Sequence, residues 1–378
     1  MEYIIHLTEN CNLNCSYCYK SKKKKDISFE NIKNLINYEI SKKSKYSIIY
    51  FYGGEPLLQK DMIKNTIEYI NTKKSKTKFY FGITTNGTLL ENEFLQYMKK
   101  NNFINIAYSI DGMENTQNLN RKNINGEGTF NIVQKNAKMV LKSFDEAIAM
   151  TVVTKNNLSN LSNNVRYLID DIGFKCVNLL FDYSQEWTDE DLTEIKKQYT
   201  QVAEFYADKI LQEYDIEIPV IDNKIRTYIS DEYSCNNECK FGMDNISVGT
   251  DGNFYPCVQF VNQQNFIIGN CMDGIDINAR KKLIQKAQKE NEVCKNCMIK
   301  KRCKHTCACR NYALTGDINK LSPIICETEK IIIEISDRMA EKLYKQKSKM
   351  FIQKYYNKNY NVLNRIANKR EKEGFLWK

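Results

Sequence analysis

The sequence predicts an α/β protein: a partial, TIM-like (β/α)6 barrel, followed by a small cysteine-rich α+β domain and a C-terminal helix. Three observations carry this expectation. Six strand-like segments alternate with six amphipathic helix-like segments over about the first 210 residues, the alternation that builds a parallel sheet with helices outside. Glycine-rich and polar motifs fall at the C-terminal ends of the strand segments, where barrels of this construction carry their chemistry. Fourteen cysteines, most of them after residue 234, then replace the regular periodicity.

Strands are predicted at Tyr3–Thr8, Ser47–Tyr52, Lys78–Thr84, Ile104–Ile110, Ala147–Val153 and Val177–Phe181. The helix-period segments between and after them are Ser28–Ser41, Lys60–Lys73, Glu91–Asn101, Thr129–Leu141, Leu158–Ile172 and Asp189–Glu213. Six units fall short of a closed eightfold barrel, so an open one is expected. The expected organisation is a barrel over 1–215, a bridging segment over 216–234, the cysteine-rich domain over 235–330, and a helix with a basic tail over 331–378. The last helical pattern runs from Ile331 to about Tyr355.

With 378 residues, 42% of them hydrophobic, the chain is long enough for one large domain and a smaller one. It contains no apolar run of about 20 residues, which argues against a membrane span, and no signal segment. A reducing cytoplasm is therefore expected, where cysteines bind metal more often than they pair as disulfides. The net charge of +10 reflects abundant lysine, which accompanies abundant Asn, Ile and Tyr as in an AT-rich coding sequence. The run Lys22–Lys25 reads as a solvated loop, and no RNA-binding module is recognisable, which argues against a nucleic-acid partner. Only two histidines occur, His6 and His305, which argues against multi-histidine metal chemistry and Ser-His-Asp hydrolysis. His6 alternates within the first strand and is expected to be buried and hydrogen-bonded.

Cys11, Cys15 and Cys18 follow the first strand with the spacing C-x3-C-x2-C. Three thiolates on one loop can hold three irons of a [4Fe–4S] cluster and leave the fourth open, whereas cluster ligation usually takes four cysteines. Gly53-Gly54-Glu55-Pro56 follows the second strand, where glycines allow close backbone approach to a ligand and Glu55 can receive an ammonium group. Asn86 follows the third strand, and Ser109 and Asp111 close the fourth; these can bond a ribose or a carboxylate. Arg121 can clamp a carboxylate through two N–H groups. Later, Cys239 precedes Gly252 by twelve intervening residues and Cys257 follows after four more. Then come Cys294-x2-Cys297-x5-Cys303-x3-Cys307 and Cys326. On spacing alone these late cysteines also read as a zinc ribbon.

Taken together, the motifs resemble those of the radical S-adenosylmethionine (radical SAM) superfamily, with the seven-cysteine SPASM extension found on peptide- and protein-modifying members. The resemblance runs from about residue 3 to 330. It implies a cluster on Cys11, Cys15 and Cys18, whose open iron is chelated by S-adenosylmethionine. Tyr17 would lie against the adenine, Gly53, Gly54 and Glu55 would receive the methionine ammonium, and Asn86, Ser109, Asp111 and Arg121 would hold the ribose and the carboxylate. The extension implies two further [4Fe–4S] clusters: a nearer one on Cys239, Cys257 and Cys307 with Cys235 as a candidate fourth ligand, and a farther one on Cys294, Cys297, Cys303 and Cys326. One-electron reduction then yields a 5′-deoxyadenosyl radical that takes hydrogen from the substrate. The implied activity is maturation of a ribosomally made peptide, expected to contain cysteine, by a thioether cross-link. Carbon–carbon cross-linking and formylglycine formation are alternatives within the family, and a non-catalytic iron–sulfur or zinc scaffold is the alternative of another class. Sulfatase-activating members carry an Asp base at the position of Val258, which counts against the formylglycine reading. A flavodoxin- or ferredoxin-type donor and oxygen sensitivity follow from the chemistry. Only ten residues precede Cys11, so leader recognition is expected from a separate protein, the barrel or the C-terminal segment. There Lys342, Lys345, Lys347, Lys349 and Lys354 either form a solvated face or meet an acidic leader.

Overall fold

The structure, a computed structural model, describes residues 1–20, 24–230 and 241–357. Strand β1 (Glu2–Thr8) leads to helix α1 (Phe29–Ser41), whose first turn is capped by the Ser28 hydroxyl accepting from Asn31 N–H. Then follow β2 (Tyr46–Gly53), α2 (Lys60–Thr72), β3 (Lys78–Thr85), α3 (Asn92–Lys100), β4 (Phe103–Ser109), the short α4 (Glu114–Asn120) and α5 (Phe130–Ser143). Next come β5 (Ile148–Val153), α6 (Leu161–Tyr167), β6 (Cys176–Phe181), and α7 (Asp189–Leu211), which opens with a capping box between Thr188 and Asp191. The first six strands are parallel and lie side by side in chain order, with helices packed outside. The expected partial (β/α)6 barrel is therefore the observed fold. The strands bury one face fully under the helices, while residues on the other face are mostly half-buried, as in β5.

Three features differ from the sequence expectation. The segment Leu158–Ile172 is not one helix: a 3-10 turn precedes α6, and a π turn over Leu168–Ile172 ends at Gly173, whose φ of 99° stops the helix. The bridging segment contains α8 (Pro219–Ile229), which buries Ile221 and Ile225 in the barrel's own core. The sheet also has eight strands, since β7 (Asn245–Val248) pairs parallel with β1 and β8 (Phe254–Tyr255) pairs antiparallel with β7. The cysteine-rich region thus extends the barrel's sheet on the β1 edge.

A two-residue ribbon, β9 (Gly269–Asn270) with β10 (Gly274–Ile275), precedes α9 (Ile277–Gln288) and α10 (Ala308–Thr315). The terminal helix begins at Pro323, eight residues before the periodic pattern, as α11 (Pro323–Lys345). It breaks before α12 (Lys349–Tyr356), where Lys347 has a φ of 53°. α11 packs against α7 and α8. Lys354 is buried and ion-paired to Asp222 at 2.7 Å, so it is no part of a solvated lysine face; Lys342 and Lys345 pair with Asp208 and Glu341. Among the described residues, no helix is long and apolar enough to cross a membrane.

Candidate active site at the C-terminal ends of the strands

The loop after β1 crosses the strand ends and is stitched to its neighbours on both sides. Gly54 N–H donates to Thr8 O at 2.8 Å and Glu55 N–H to Asn10 O at 2.9 Å. On the other side, Asn14 N–H donates to Lys122 O at 2.7 Å and Ser16 N–H to Asn120 O at 2.9 Å. Cys11, Cys15 and Cys18 lie on this loop, none of them in a disulfide.

The glycines of the Gly53-Gly54-Glu55-Pro56 turn are explained by this stitching. A Cβ at Gly54 would stand 2.1 Å from Asn10 O, and one at Gly53, whose φ is 144°, 2.3 Å from Thr8 O. The chain that approaches them is the cysteine loop itself. We therefore expect Gly54→Ala to cost about 1–3 kcal/mol and to weaken iron retention, read as a lowered Tm together with lowered iron content. An unchanged loop would keep both at wild-type values.

Glu55 has a bracing role that the sequence did not show. Its carboxylate is fully buried and accepts from Leu57 N–H at 3.0 Å, Thr85 Oγ1–H at 2.8 Å and Asn86 N–H at 2.7 Å. It caps the turn and ties it to the end of β3, so it builds the frame of the site. Burial pushes its carboxyl up from 4.5 to about 7, against the pull of those hydrogen bonds. The folded state therefore holds this proton to higher pH than the unfolded chain does. The stability so gained is full below about 4.5 and is lost as pH rises through about 7. Glu55→Gln is expected to flatten the dependence of Tm on pH across that window, and equal slopes for both proteins would overturn the assignment.

The Gly53 carbonyl is where an ammonium can sit: the Lys20 ammonium donates to it at 2.8 Å and approaches His6 Nδ1 at 3.2 Å. His6 is buried, and burial together with Lys20 lowers its pKa, so the ring is neutral. The same ammonium lies 4.1 Å from the centre of the Tyr52 ring, and Tyr52 Oη lies 3.2 Å from Tyr19 Oη.

Asp111 braces its neighbours in the same way. It is fully buried, with Oδ1 accepting from Arg121 Nη2 at 2.9 Å and from Val152 N–H at 3.0 Å, while Tyr17 Oη–H donates to Oδ2 at 2.6 Å. Asp111 is thus committed to the protein and orients Tyr17 and Arg121. The guanidinium lies 5.4 Å from the Tyr17 ring centre, and its buried Nε has no hydrogen-bond partner. A buried guanidinium N–H without a partner is what a guest carboxylate would satisfy. Ser109 ends β4 half-buried beside this group. Asn86 stands against the loop, donating to Asn12 Oδ1 at 2.9 Å and approaching Cys11 Sγ at 3.8 Å, while its Oδ1 accepts from Thr88.

Cys326, in the first turn of α11, interacts electrostatically with Cys294, Cys297 and Cys303. Burial raises the Cys294, Cys303 and Cys326 thiols. The Cys303 segment is fixed by buried Lys224 on α8, which donates to Arg302 O at 2.5 Å and pairs with Glu329 at 2.6 Å. Cys257 and Cys307 are joined by Cys309. Cys235 and Cys239 lie outside the described residues. Among the described residues, no three His, Cys, Asp or Glu side chains are gathered as a single metal ion would need.

Sequence reasoning missed the connections between these parts. Glu9, two residues before Cys11, accepts from Thr250 at 2.7 Å and from Asn262 at 3.1 Å, joining the cysteine loop to the region after β7. Lys20 and Cys309 were also outside the predicted site. Only Cys309 carried a sequence signal, as a cysteine two residues after one of the motif positions.

A partial parallel barrel with a three-thiol loop after β1 and a glycine turn laid against it defines a cluster-dependent enzyme that works at the strand ends. Residues 5–168, which carry the three-thiol loop and the glycine turn, match the Radical SAM superfamily. The chain is 34% identical over 192 residues to an uncharacterized protein of Methanocaldococcus jannaschii, a match covering 50% of this chain and 65% of that relative, just under two thirds of its length. It is 25% identical over 339 residues to the cysteine-type anaerobic sulfatase-maturating enzyme of Clostridium perfringens, covering 82% of this chain and 90% of that enzyme. Among solved structures, native anSMEcpe with bound AdoMet aligns with a TM-score of 0.78 at 22% identity, over 91% of this chain and 99% of that one. Streptococcus suis SuiB bound to its precursor peptide SuiA aligns with a TM-score of 0.58 at 16% identity, over 86% and 75%. These two alignments speak to the fold.

Proposed function

We propose that this enzyme matures a ribosomally made, cysteine-containing peptide by installing a cross-link, a Cys thioether in the first instance. What supports this reading is the SPASM-like spacing of the late cysteines, with Cys326 in electrostatic reach of Cys294, Cys297 and Cys303, and Cys307 beside Cys309. Relatives named as sulfatase-maturating enzymes, and the SuiB structure with its precursor peptide, support a peptide or protein as the substrate.

In this reading Cys11, Cys15 and Cys18 hold the catalytic cluster. The Gly53 carbonyl receives the methionine ammonium in place of Lys20, Arg121 Nε and Ser109 take its carboxylate, and Tyr17 lines the adenine side. When bound, cluster and cofactor supply a 5′-deoxyadenosyl radical that takes a hydrogen atom from the peptide. The chain's own contribution is placement: Asp111 fixes Tyr17 and Arg121, Glu55 fixes the glycine turn, and Glu9 links the loop to the region carrying the auxiliary thiols. An auxiliary cluster would accept the electron left on the substrate. Flavodoxin or ferredoxin would supply the first electron, and a leader-recognition protein would act as a separate partner.

Formylglycine formation is the second reading, favoured by the match to 90% of a sulfatase-maturating enzyme and opposed by Val258 at the position of that family's Asp. Anaerobic co-expression with short Cys-containing peptides encoded beside the gene, followed by intact mass, separates the two. Loss of two hydrogens with the cysteine closed to alkylation is the expected thioether result. Loss of two hydrogens with the cysteine still alkylatable gives a carbon–carbon link. Loss of sulfur with gain of a hydrazide-reactive aldehyde gives formylglycine.

A further inference from the structure

Arg121 and Lys20 both bring positive charge to the three-thiol loop, but they are not equally neutralised. Arg121 acts on Cys15, and its charge is met by Asp111 at 2.9 Å. Lys20 acts on Cys11 and Cys18. We propose that Lys20 raises the reduction potential of the cluster on Cys11, Cys15 and Cys18, its ammonium stabilising the reduced, more negative form. The proposal rests on the loop cluster of the reading above and needs no auxiliary cluster.

The ammonium is fixed in place by neutral partners. It donates to Gly53 O at 2.8 Å, lies 3.2 Å from His6 Nδ1 and stands 4.1 Å from the centre of the Tyr52 ring. Among the described residues no carboxylate is ion-paired with it. Glu9, engaged by Thr250 and Asn262, acts on it from beyond ion-pair distance. Both ends of the cysteine loop meet at this point. Lys20 follows Cys18 by two residues, and the glycine turn it bonds is stitched to Thr8 and Asn10, just before Cys11. A charge held there, partly shielded from water, acts on its neighbours more strongly than one in bulk solvent. Net charge beside a cluster is one of the levers that set its potential. The electron step is a plain exchange: a flavodoxin- or ferredoxin-type donor loses one electron, the cluster gains it, and no bond or proton moves. A cation without a contact carboxylate favours the side that carries the extra negative charge. In the reading above the methionine ammonium takes the Gly53 carbonyl, so the Lys20 effect should be largest before S-adenosylmethionine binds.

The test uses the full chain, purified anaerobically and reconstituted with iron and sulfide. Potentials are read by EPR during a redox titration without S-adenosylmethionine, and the loop-cluster signal is the one missing from Cys15→Ala. Lys20→Gln can still donate to Gly53 O but carries no charge, whereas Lys20→Arg keeps the charge. Lys20→Gln should move the reduction equilibrium about tenfold toward the oxidised cluster, lowering the potential by about 59 mV for one electron, with iron content unchanged. Lys20→Arg should stay near wild type. A Lys20→Gln midpoint equal to wild type, or an equal shift in Lys20→Arg, would overturn the proposal. Loss of about four irons from Lys20→Gln would also overturn it, by making Lys20 a support of the loop. A wild-type spectrum with no signal that Cys15→Ala removes would instead defeat the cluster reading itself.

Discussion

Replacing Cys15 with alanine is expected to abolish cleavage of S-adenosylmethionine and to remove about four irons while the auxiliary clusters stay. Cys15 sits at the centre of the three-thiol loop, held between the Gly53-Gly54 turn and the segment 120–122 at the end of α4. Burial pushes its thiol up to about 11, and the Arg121 guanidinium acts in the opposite direction. Two remaining thiolates cannot hold three irons, so the open-iron site goes as a unit and turnover falls to background. The late thiols are carried on other segments and anchored separately through Lys224, Glu329 and α11. 5′-Deoxyadenosine release and iron content, measured on one preparation, check both halves. Surviving cleavage would contradict the radical SAM assignment.

Arg121→Met carries the second large effect. Arg121 is 6% exposed and Asp111 is fully buried, so removing the guanidinium strands a carboxylate away from water. Breaking a buried pair in this way costs about 3–5 kcal/mol. The same change removes the guanidinium N–H groups assigned to the cofactor carboxylate, weakening S-adenosylmethionine binding by about 10- to 100-fold. The two effects separate in the double variant Arg121→Met/Asp111→Asn. Its amide can still accept from Val152 N–H without a buried charge. Stability should largely return and affinity should not, as read by thermal melting and equilibrium binding. If affinity returned with stability, Arg121 would be a structural residue only.

Much of the fold was legible because parallel, helix-covered strands write a strong local signal. The observed β2, β3 and β4 fall within a residue or so of their predicted bounds. The C-terminal strand ends, and with them the cysteine loop, were placed for the same reason. Pairing between distant segments was not legible. Asn245–Val248 carries no mark in its own sequence that it belongs beside β1, because register between them is set by the assembled core. The start of α11 was missed since Ser322-Pro323 was not weighed as a helix opening, although proline suits the first turn. Glu55 and Asp111 show the limit for sites: a carboxylate at a strand end can face a ligand or brace the residues that do. The bracing half of that choice is visible only in the folded hydrogen-bond network, which no local sequence signal prints.

The pairing of β1 with β7 also bears on how the chain is made. β1 leaves the ribosome first, finds β2 about 40 residues later, and waits for its other neighbour until about 240 residues have followed, on the order of 10–50 s at ordinary elongation rates. For that interval one edge of the strand that carries the cysteine loop is bare, a ready template for wrong pairing. Glu9 likewise lacks Thr250 and Asn262 until the same stretch arrives. Cluster loading before that point would meet an unfinished loop, so iron delivery during synthesis should be far less productive than delivery to the completed chain.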